Sequence, residues 1–574
     1  MRQFGTVRVQ SRDCMLLTLL CLALYVPGLT TIPPVDRDEA RFAQATKQML
    51  QTGDLVLPHF GSENRFNKPI GIYWLQAAAV LITAGRESAA IWPYRVPSVF
   101  GAIGAVLLTY WAGRRLFDRH VALLGAAFLG SSVLLIVEAH LATTDAVLLA
   151  CVVAAQSCLA ALYTAGRRGH IGARSYAAGF WIAQGIGVLI KGPIVLLVSG
   201  LTVGVLLGLE HWRGGEEHAD SNRRLLVGLR WRWGPFLTLA ISAPWIAAAG
   251  WATHGAFYSD WMVKDVISKA VGAQESHGAL PGLYLLLAVV TFWPASFAAA
   301  LGFVRGLGRH ARTGERFCLA WLIPTWLFFE LMPTKLPHYV LPAYPALALL
   351  AARAALATRP GSLRPSGTRA LRAGFGLWSG VTVLLGALVL VASARLGNGL
   401  GFASLVVAAA TALTAFFCVR LCWRGQLAQA STIAVISSVV VFVPLLQWVL
   451  PDLGSVWLSR AASAAVARQP RGRDAARPIA AVGYQEPSLV FLAATDVALI
   501  EPQEAASFLR ERTDGLVLVS ENQRAAFTRA AIDIGLSVHE VWAMDGINYS
   551  QGRRTRLSLF EQVTPSTASA TWSK

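Results

Sequence analysis

The sequence predicts an α-helical polytopic membrane protein that ends in a small α/β domain, and three observations carry that prediction. The chain of 574 residues is 55% hydrophobic and only 14% charged, more apolar side chain than a soluble protein of this length needs to bury. Apolar runs recur along it, about thirteen in all, each near the ~20 residues that cross a bilayer core. From about residue 451 the composition turns to mixed polar sequence.

The first run, 14–32, reads as an uncleaved first helix. It is longer than a signal-peptide core, and no small-residue cleavage site follows it. The remaining runs fall at 91–112, 121–141, 143–164, 176–190, 192–210, 234–251, 282–304, 317–332, 336–356, 373–394, 400–419 and 429–450. A further apolar stretch at 68–84 is short and broken, which suits an interfacial or re-entrant helix. Residues 39–50 read as an amphipathic surface helix, with Phe42, Ala45, Met49 and Leu50 toward the membrane. Residues 1–450 thus form the membrane domain, and 451–574 the small domain. In the latter, candidate strands "IAAVGY", "VALIE", "LVLVS" and "SVHEVWA" alternate with helical stretches at 502–511 and 521–534. All seven cysteines lie in or beside apolar segments, so neither a disulfide framework nor a cysteine-rich zinc site is available.

A net charge of +18 raises the question of nucleic acid, but its distribution excludes that partner. The arginines collect in short loops between apolar runs: 113–120, 166–174, 211–232, 305–316 and 359–372. With the N-terminus in the cytoplasm, all of these fall on the cytoplasmic side, as the positive-inside rule requires. The loops 33–90 and 252–281, the turns near 138–145, 191 and 330–338, and the tail then face outward.

The outward segments hold a set of polar residues. Loop 33–90 contributes Asp36, Asp38, Glu39, Arg41, Asn67 and Lys68; later turns contribute Glu138, His140, Asp145 and Lys191. The loop 252–281 adds Asp260, Lys264, Asp265, Lys269, Glu275 and His277, and the last turn adds Glu330, Lys335, His338 and Tyr339. Of the chain's basic residues only seven are lysine, and all but the terminal Lys574 lie in these outward segments. Lysine is a compact point charge suited to phosphate. Positive-inside bias explains the cytoplasmic arginines but not the absence of lysine among them. Asp38 also stands where an N-cap of the 39–50 helix is expected, and capping is the plain alternative to chemistry there. Asp145, at the mouth of a span, is costly to bury unless paired or hydrated. The three histidines lack ligand spacing and read as polar loop residues.

In order, "DEARFAQATKQML", "NKPIGIYW", an acidic residue after the third run, "LIKGP" and "KLPHYVLPAYPALALL" resemble bacterial C-type glycosyltransferases. The nearest groups are the lipid A aminoarabinose transferases and the protein O-mannosyltransferases. The resemblance covers nearly the whole chain and implies the C-type glycosyltransferase fold in the bacterial inner membrane, with the tail domain periplasmic. It also implies transfer of a sugar, with inversion, from a polyprenyl (undecaprenyl) phosphate donor to an envelope acceptor, lipid A or another glycan or protein. Carried over by motif, Asp38 is similar to the catalytic carboxylate, with Glu39 beside it, and Asp145 to the second acidic residue. Lys68, Lys269 and Tyr339 resemble positions that hold the lipid-linked phosphate. Arg41, Lys335 and His338 belong to the same outward set. The one cofactor the resemblance leaves open is a divalent metal ion. Asn67 stands where the aminoarabinose transferases have a glutamate that takes part in holding it.

Two other classes compete. A transporter or flippase of a lipid-linked or small solute needs polar residues near mid-membrane and often inverted repeats; here the charges gather at one face. A non-catalytic envelope scaffold leaves the ordered outward motifs unexplained.

Overall fold

The computed structural model describes residues 10–61, 63–66, 68–86, 88–214, 216–259, 280–307, 312–358, 365–469 and 477–563. The expected apolar runs all coincide with helices, but not all with spans. Among the described residues, eight helices are long and apolar enough to cross a membrane, or nine if one bent pair counts as a single span. The expectation was about thirteen, and several of the remaining runs fall short of that length and composition for local reasons. Helix α1 (Ser11–Tyr25) has only 15 residues, about 22 Å of rise. The run at 282–304 is split into helices Leu283–Thr291 and Ser296–Gly306. The run at 121–141 is the bent pair α5 (Arg119–Gly130) and α6 (Val133–Ala139), which meet at 59°.

Between α1 and the first long span lie the surface elements. Helix α2 (Asp38–Thr52) ends on Gly53, whose φ of 77° closes the helix in the left-handed region. A short hairpin, β1 (His59–Phe60) and β2 (Glu63–Asn64), follows, then α3 (Gly71–Thr83). The α2 residues expected on the membrane lie instead inside the protein: Phe42, Ala45, Met49 and Leu50 are all buried. Their cover is protein because α3 and the helix Pro487–Ala493 of the tail pack on α2. The apolar face is real; its partner is not lipid.

Spans α4 (Trp92–Leu116) and α7 (Asp145–Arg167) are the heart of the bundle. A Cβ on Gly101 would lie 2.8 Å from the Val147 Cα, so these backbones approach as only small residues permit. Helix α8 (Arg174–Lys191) packs on α7. A Cβ on Gly71 would lie 2.7 Å from the Leu189 carbonyl oxygen. That approach sets the "KPIG" segment against the end of α8. At the bundle's other end the arginine-rich loops meet: Arg224 donates to the Gly166 carbonyl (3.0 Å) and Arg115 to the Tyr176 hydroxyl (2.6 Å).

The tail carries a five-stranded sheet of order β4-β3-β5-β7-β6, comprising β3 (Ile479–Val482), β4 (Ala498–Leu499), β5 (Leu516–Ser520), β6 (Val538–Asn548) and β7 (Arg553–Gln562). The first three strands are parallel and the last two antiparallel to their neighbours. β3 and β5 are buried on both faces, hence their unbroken apolar runs. One face carries helices Pro502–Glu511 and Glu521–Asp533; the other carries Leu458–Arg468 and Pro487–Ala493. The sequence anticipated β3 to β6 and missed β7, whose opening "RRTR" has no strand-like alternation.

This unit is fastened to the segment that leads into α2. Ser488 donates its backbone N–H (2.8 Å) and its hydroxyl (2.6 Å) to the Asp36 carboxylate. Tyr549 accepts from the Asp36 N–H at 2.7 Å, and Arg37 donates to the Ser550 carbonyl at 3.1 Å. Lys47 donates to the Phe491 carbonyl at 3.3 Å. Burial pushes the Asp36 carboxyl up to about 6, although the Ser488 hydrogen bonds pull the other way.

Candidate active site

The site is assembled from helix ends. Asp38 is the first residue of α2, Glu138 lies in the last turn of α6, Asp145 opens α7 and Lys191 closes α8. His338 and Tyr339 sit in a 3₁₀ turn, Pro337–Ala343, that leads into the helix Tyr344–Ala357. Asp38, Asp145 and Lys191 stand where the helix dipole favours their charges, whereas Glu138, at a helix C-terminus, does not.

At the centre, Lys191 Nζ donates to Asp145 Oδ1 at 2.6 Å, with both side chains nearly buried. The His338 ring bridges two carboxylates. Its Nδ1 lies 3.6 Å from Glu138 Oε1 and its Nε2 3.9 Å from Asp145 Oδ1. Thr143 donates to Glu138 Oε2 at 3.1 Å. The Tyr339 ring lies 5.6 Å from Lys191 Nζ, a cation–π placement. Two carboxylates therefore share one lysine and one imidazole in a buried setting. The charges of Asp38 and Lys68 act on His338 as well, so α2 and the "KPIG" segment face the same space.

Asp38 is exposed, and its carboxylate makes no hydrogen bond or ion pair among the described residues. It does not cap α2 either. The N-cap position is Arg37, and no side chain caps the helix, so the capping alternative fails on geometry. Arg41, one turn on, is half-buried on the same face.

Glu39 differs from its neighbour completely. Its Oε1 accepts from Arg95 Nε (2.7 Å) and the Ala142 N–H (2.9 Å). Its Oε2 accepts from Arg95 Nη2 (2.9 Å) and the Val35 N–H (2.8 Å). Arg95 spends its remaining donors on the carbonyls of Leu29, Ile32 and Pro33. A carboxylate so fully bonded has no lone pair left for a substrate proton, which corrects its expected place beside Asp38 in the chemistry. Glu39 instead ties α2, α4 and the turn before α7 together.

The phosphate candidates divide. Lys68 is half-buried near the cluster. Lys335 is buried, and its ammonium donates to the Met332 carbonyl at 2.6 Å. Lys269 and Asn67 lie outside the described residues. Among the described residues no group of three His, Cys, Asp or Glu side chains is set to hold a metal ion. His140 is a buried core residue whose ring nitrogens meet the carbonyls of Ile136 and Pro27, both at 2.8 Å.

Three participants were visible in the sequence without being assigned to the site or its frame. Glu138 and Lys191 belong to the outward polar set, but only the fold shows that they converge on Asp145. Arg95, a lone arginine in the apolar run "WPYRVPSVF", was the signal for the buried partner of Glu39.

Comparison with known proteins bears out the family resemblance. Residues 12–227 match the family model described as dolichyl-phosphate-mannose-protein mannosyltransferase. The chain is 27% identical over 347 residues to an undecaprenyl phosphate-alpha-4-amino-4-deoxy-L-arabinose arabinosyl transferase of Enterobacter sp. (strain 638), covering 58% of this chain and 57% of that one. The match thus spans less than two thirds of that relative's length. Among solved structures, ArnT from Cupriavidus metallidurans in the apo state superimposes with a TM-score of 0.70 at 18% identity, covering 95% of this chain and 97% of that one. The same protein bound to undecaprenyl phosphate gives 0.67 at 19% identity, covering 96% and 98%. The fold is the C-type glycosyltransferase fold, in a multi-pass membrane protein.

Proposed function

We propose that this chain is an inner-membrane glycosyltransferase that moves a sugar from undecaprenyl phosphate to an envelope acceptor such as lipid A on the periplasmic face. The observation that carries the reading is the buried, acid-rich cluster of Glu138, Asp145, Lys191 and His338 faced by the unpaired Asp38. The relatives' names supply the substrate class, and the outward-facing placement rests on the alternation of arginine-rich loops. The N-terminus is then cytoplasmic, and residues 451–574 form a periplasmic domain.

In this reading an acceptor oxygen attacks the anomeric carbon from one side while the sugar–phosphate C–O bond breaks on the other. The bonding pair leaves with the lipid phosphate. Cations aimed at the charge developing there lower the barrier; Lys68, Arg41, Lys335 and Lys269 are the candidates, with Tyr339 lining the same space. The Asp38 carboxylate takes the proton of an acceptor hydroxyl. Where the acceptor is itself a phosphate, no proton is removed and Asp38 orients it. Asp145, held by Lys191, and His338, between two carboxylates, fix the electrostatics of the cavity. Glu39 and Arg95 hold the Asp38 end of α2 in place.

The test is direct. Membranes containing the protein, given an undecaprenyl-phosphate sugar, release free undecaprenyl phosphate when lipid A acceptor is present. Uptake of the intact donor lipid with no cleavage would instead mark a transporter.

A further inference from the structure

The tail domain holds a second charged cavity that the transfer reading does not use. It measures about 890 Å³ and opens between the β6–β7 hairpin, the start of the helix Glu521–Asp533 and the end of the helix Pro365–Leu396. Five arginines line it (Arg395, Arg524, Arg553, Arg554 and Arg556) against two acids, Glu521 and Asp545. Arg524 is paired with Glu540 at 2.5 Å, and Arg556 lies 3.7 Å from Glu540 and 3.8 Å from Asp545. Arg395, Arg553 and Arg554 are exposed and form no ion pair among the described residues.

Edge protection does not explain this cluster. Basic residues that guard a sheet against aggregation belong on its outermost strand, which here is β6. Arg553, Arg554 and Arg556 stand on β7, its inner neighbour, around a concavity. The cavity also abuts the end of a helix long and apolar enough to cross a membrane, because Arg395 and Leu396 close Leu371–Leu396. Asn398 beyond it donates to Asp452 at 2.7 Å, pinning the span's end to the root of the tail. Arginine's planar fork matches phosphate oxygens in pairs.

We propose that this cleft binds a phosphate group carried on a lipid headgroup at the membrane surface. The inference rests on the cavity alone and stands whether or not the chain transfers sugar. Its test is a titration of the full-length protein in detergent with a short-chain phosphatidic acid, read by native mass spectrometry. Phosphatidylcholine and inorganic phosphate serve as the other arms. Losing two charge-assisted contacts in R553A/R554A should weaken phosphatidic acid binding at least about tenfold. Arg510→Ala, an exposed arginine outside the cleft, should bind as the parent does. Equal binding by the parent and R553A/R554A overturns the site. Displacement by inorganic phosphate at matching concentration overturns the lipid assignment in favour of a soluble anion. If the double variant loses its sheet, Arg395→Ala, at the end of the membrane helix, replaces it; unchanged binding there also overturns the proposal.

Discussion

Around Arg95 every charge is matched: the guanidinium donates to a carboxylate and three carbonyls, and Glu39 accepts from four N–H groups. Around Lys191 the bonding is incomplete, because Glu138 and Asp145 share one ammonium and one imidazole, and the imidazole stands 3.6 and 3.9 Å from them. Both groups are buried and both join helix ends. A saturated pair with no open lone pair fixes geometry, whereas a cluster whose hydrogen bonds are incomplete keeps sites for an incoming group. Asp38 and Glu39 are adjacent in sequence, yet they fall on opposite sides of this divide.

The largest effect is expected at the saturated group. Removing one partner of a buried, fully bonded ion pair costs about 3–5 kcal/mol. Arg95→Ala should therefore unfold the α2 attachment, with loss of yield and a marked fall in melting temperature in detergent. A variant that melts like the parent would show that Glu39 finds other donors and that the contrast is overstated.

Phosphate contacts come next. Lys68→Ala removes one charge-assisted contact in the proposed reading, about 1.5–3 kcal/mol, so donor use should weaken at least tenfold while the melting temperature holds. Lys335→Ala should do less, because its ammonium already serves the Met332 carbonyl. Unchanged donor dependence in Lys68→Ala would return that residue to the role of an interface anchor.

The smallest effect concerns how the tail holds the entry to α2. Asp36 ionises at about 6 in the folded protein against an ordinary 3.8, and Glu486 and Glu39 nearby raise it as well. Its folded form binds the proton more tightly. The stabilisation it gives is therefore complete below about 4, and it is lost as pH rises through about 6. Hydrogen exchange across 487–493 should speed up between pH 5 and 7 in the parent relative to Asp36→Asn. Parallel profiles would mean that the carboxyl stays ionised throughout.

Much of this was legible in sequence, for reasons that differ by element. Apolar runs name helices well because burial and span length act locally. They name spans less well, since α1 and the split helices at 283–306 depend on breaks and lengths that hydropathy alone blurs. The amphipathic face of α2 was plain, but which surface covers it depends on a tail more than 400 residues away. Asp38 and Asp145 were reachable through motif order. The saturation of Glu39 was not, because it depends on Arg95, 56 residues on.

The comparison turns on Asp38, and turnover of purified Asp38→Asn, with a melting curve beside it, tests it most directly. The substitution keeps size and removes only charge and basicity. Since the carboxylate neither caps α2 nor pairs with a described residue, melting should match the parent. Turnover should fall by about 10²–10⁴, the range for a general acid–base group. Activity within a few-fold of the parent, at an unchanged melting temperature, would contradict the assignment of chemistry to the unsaturated side of the site.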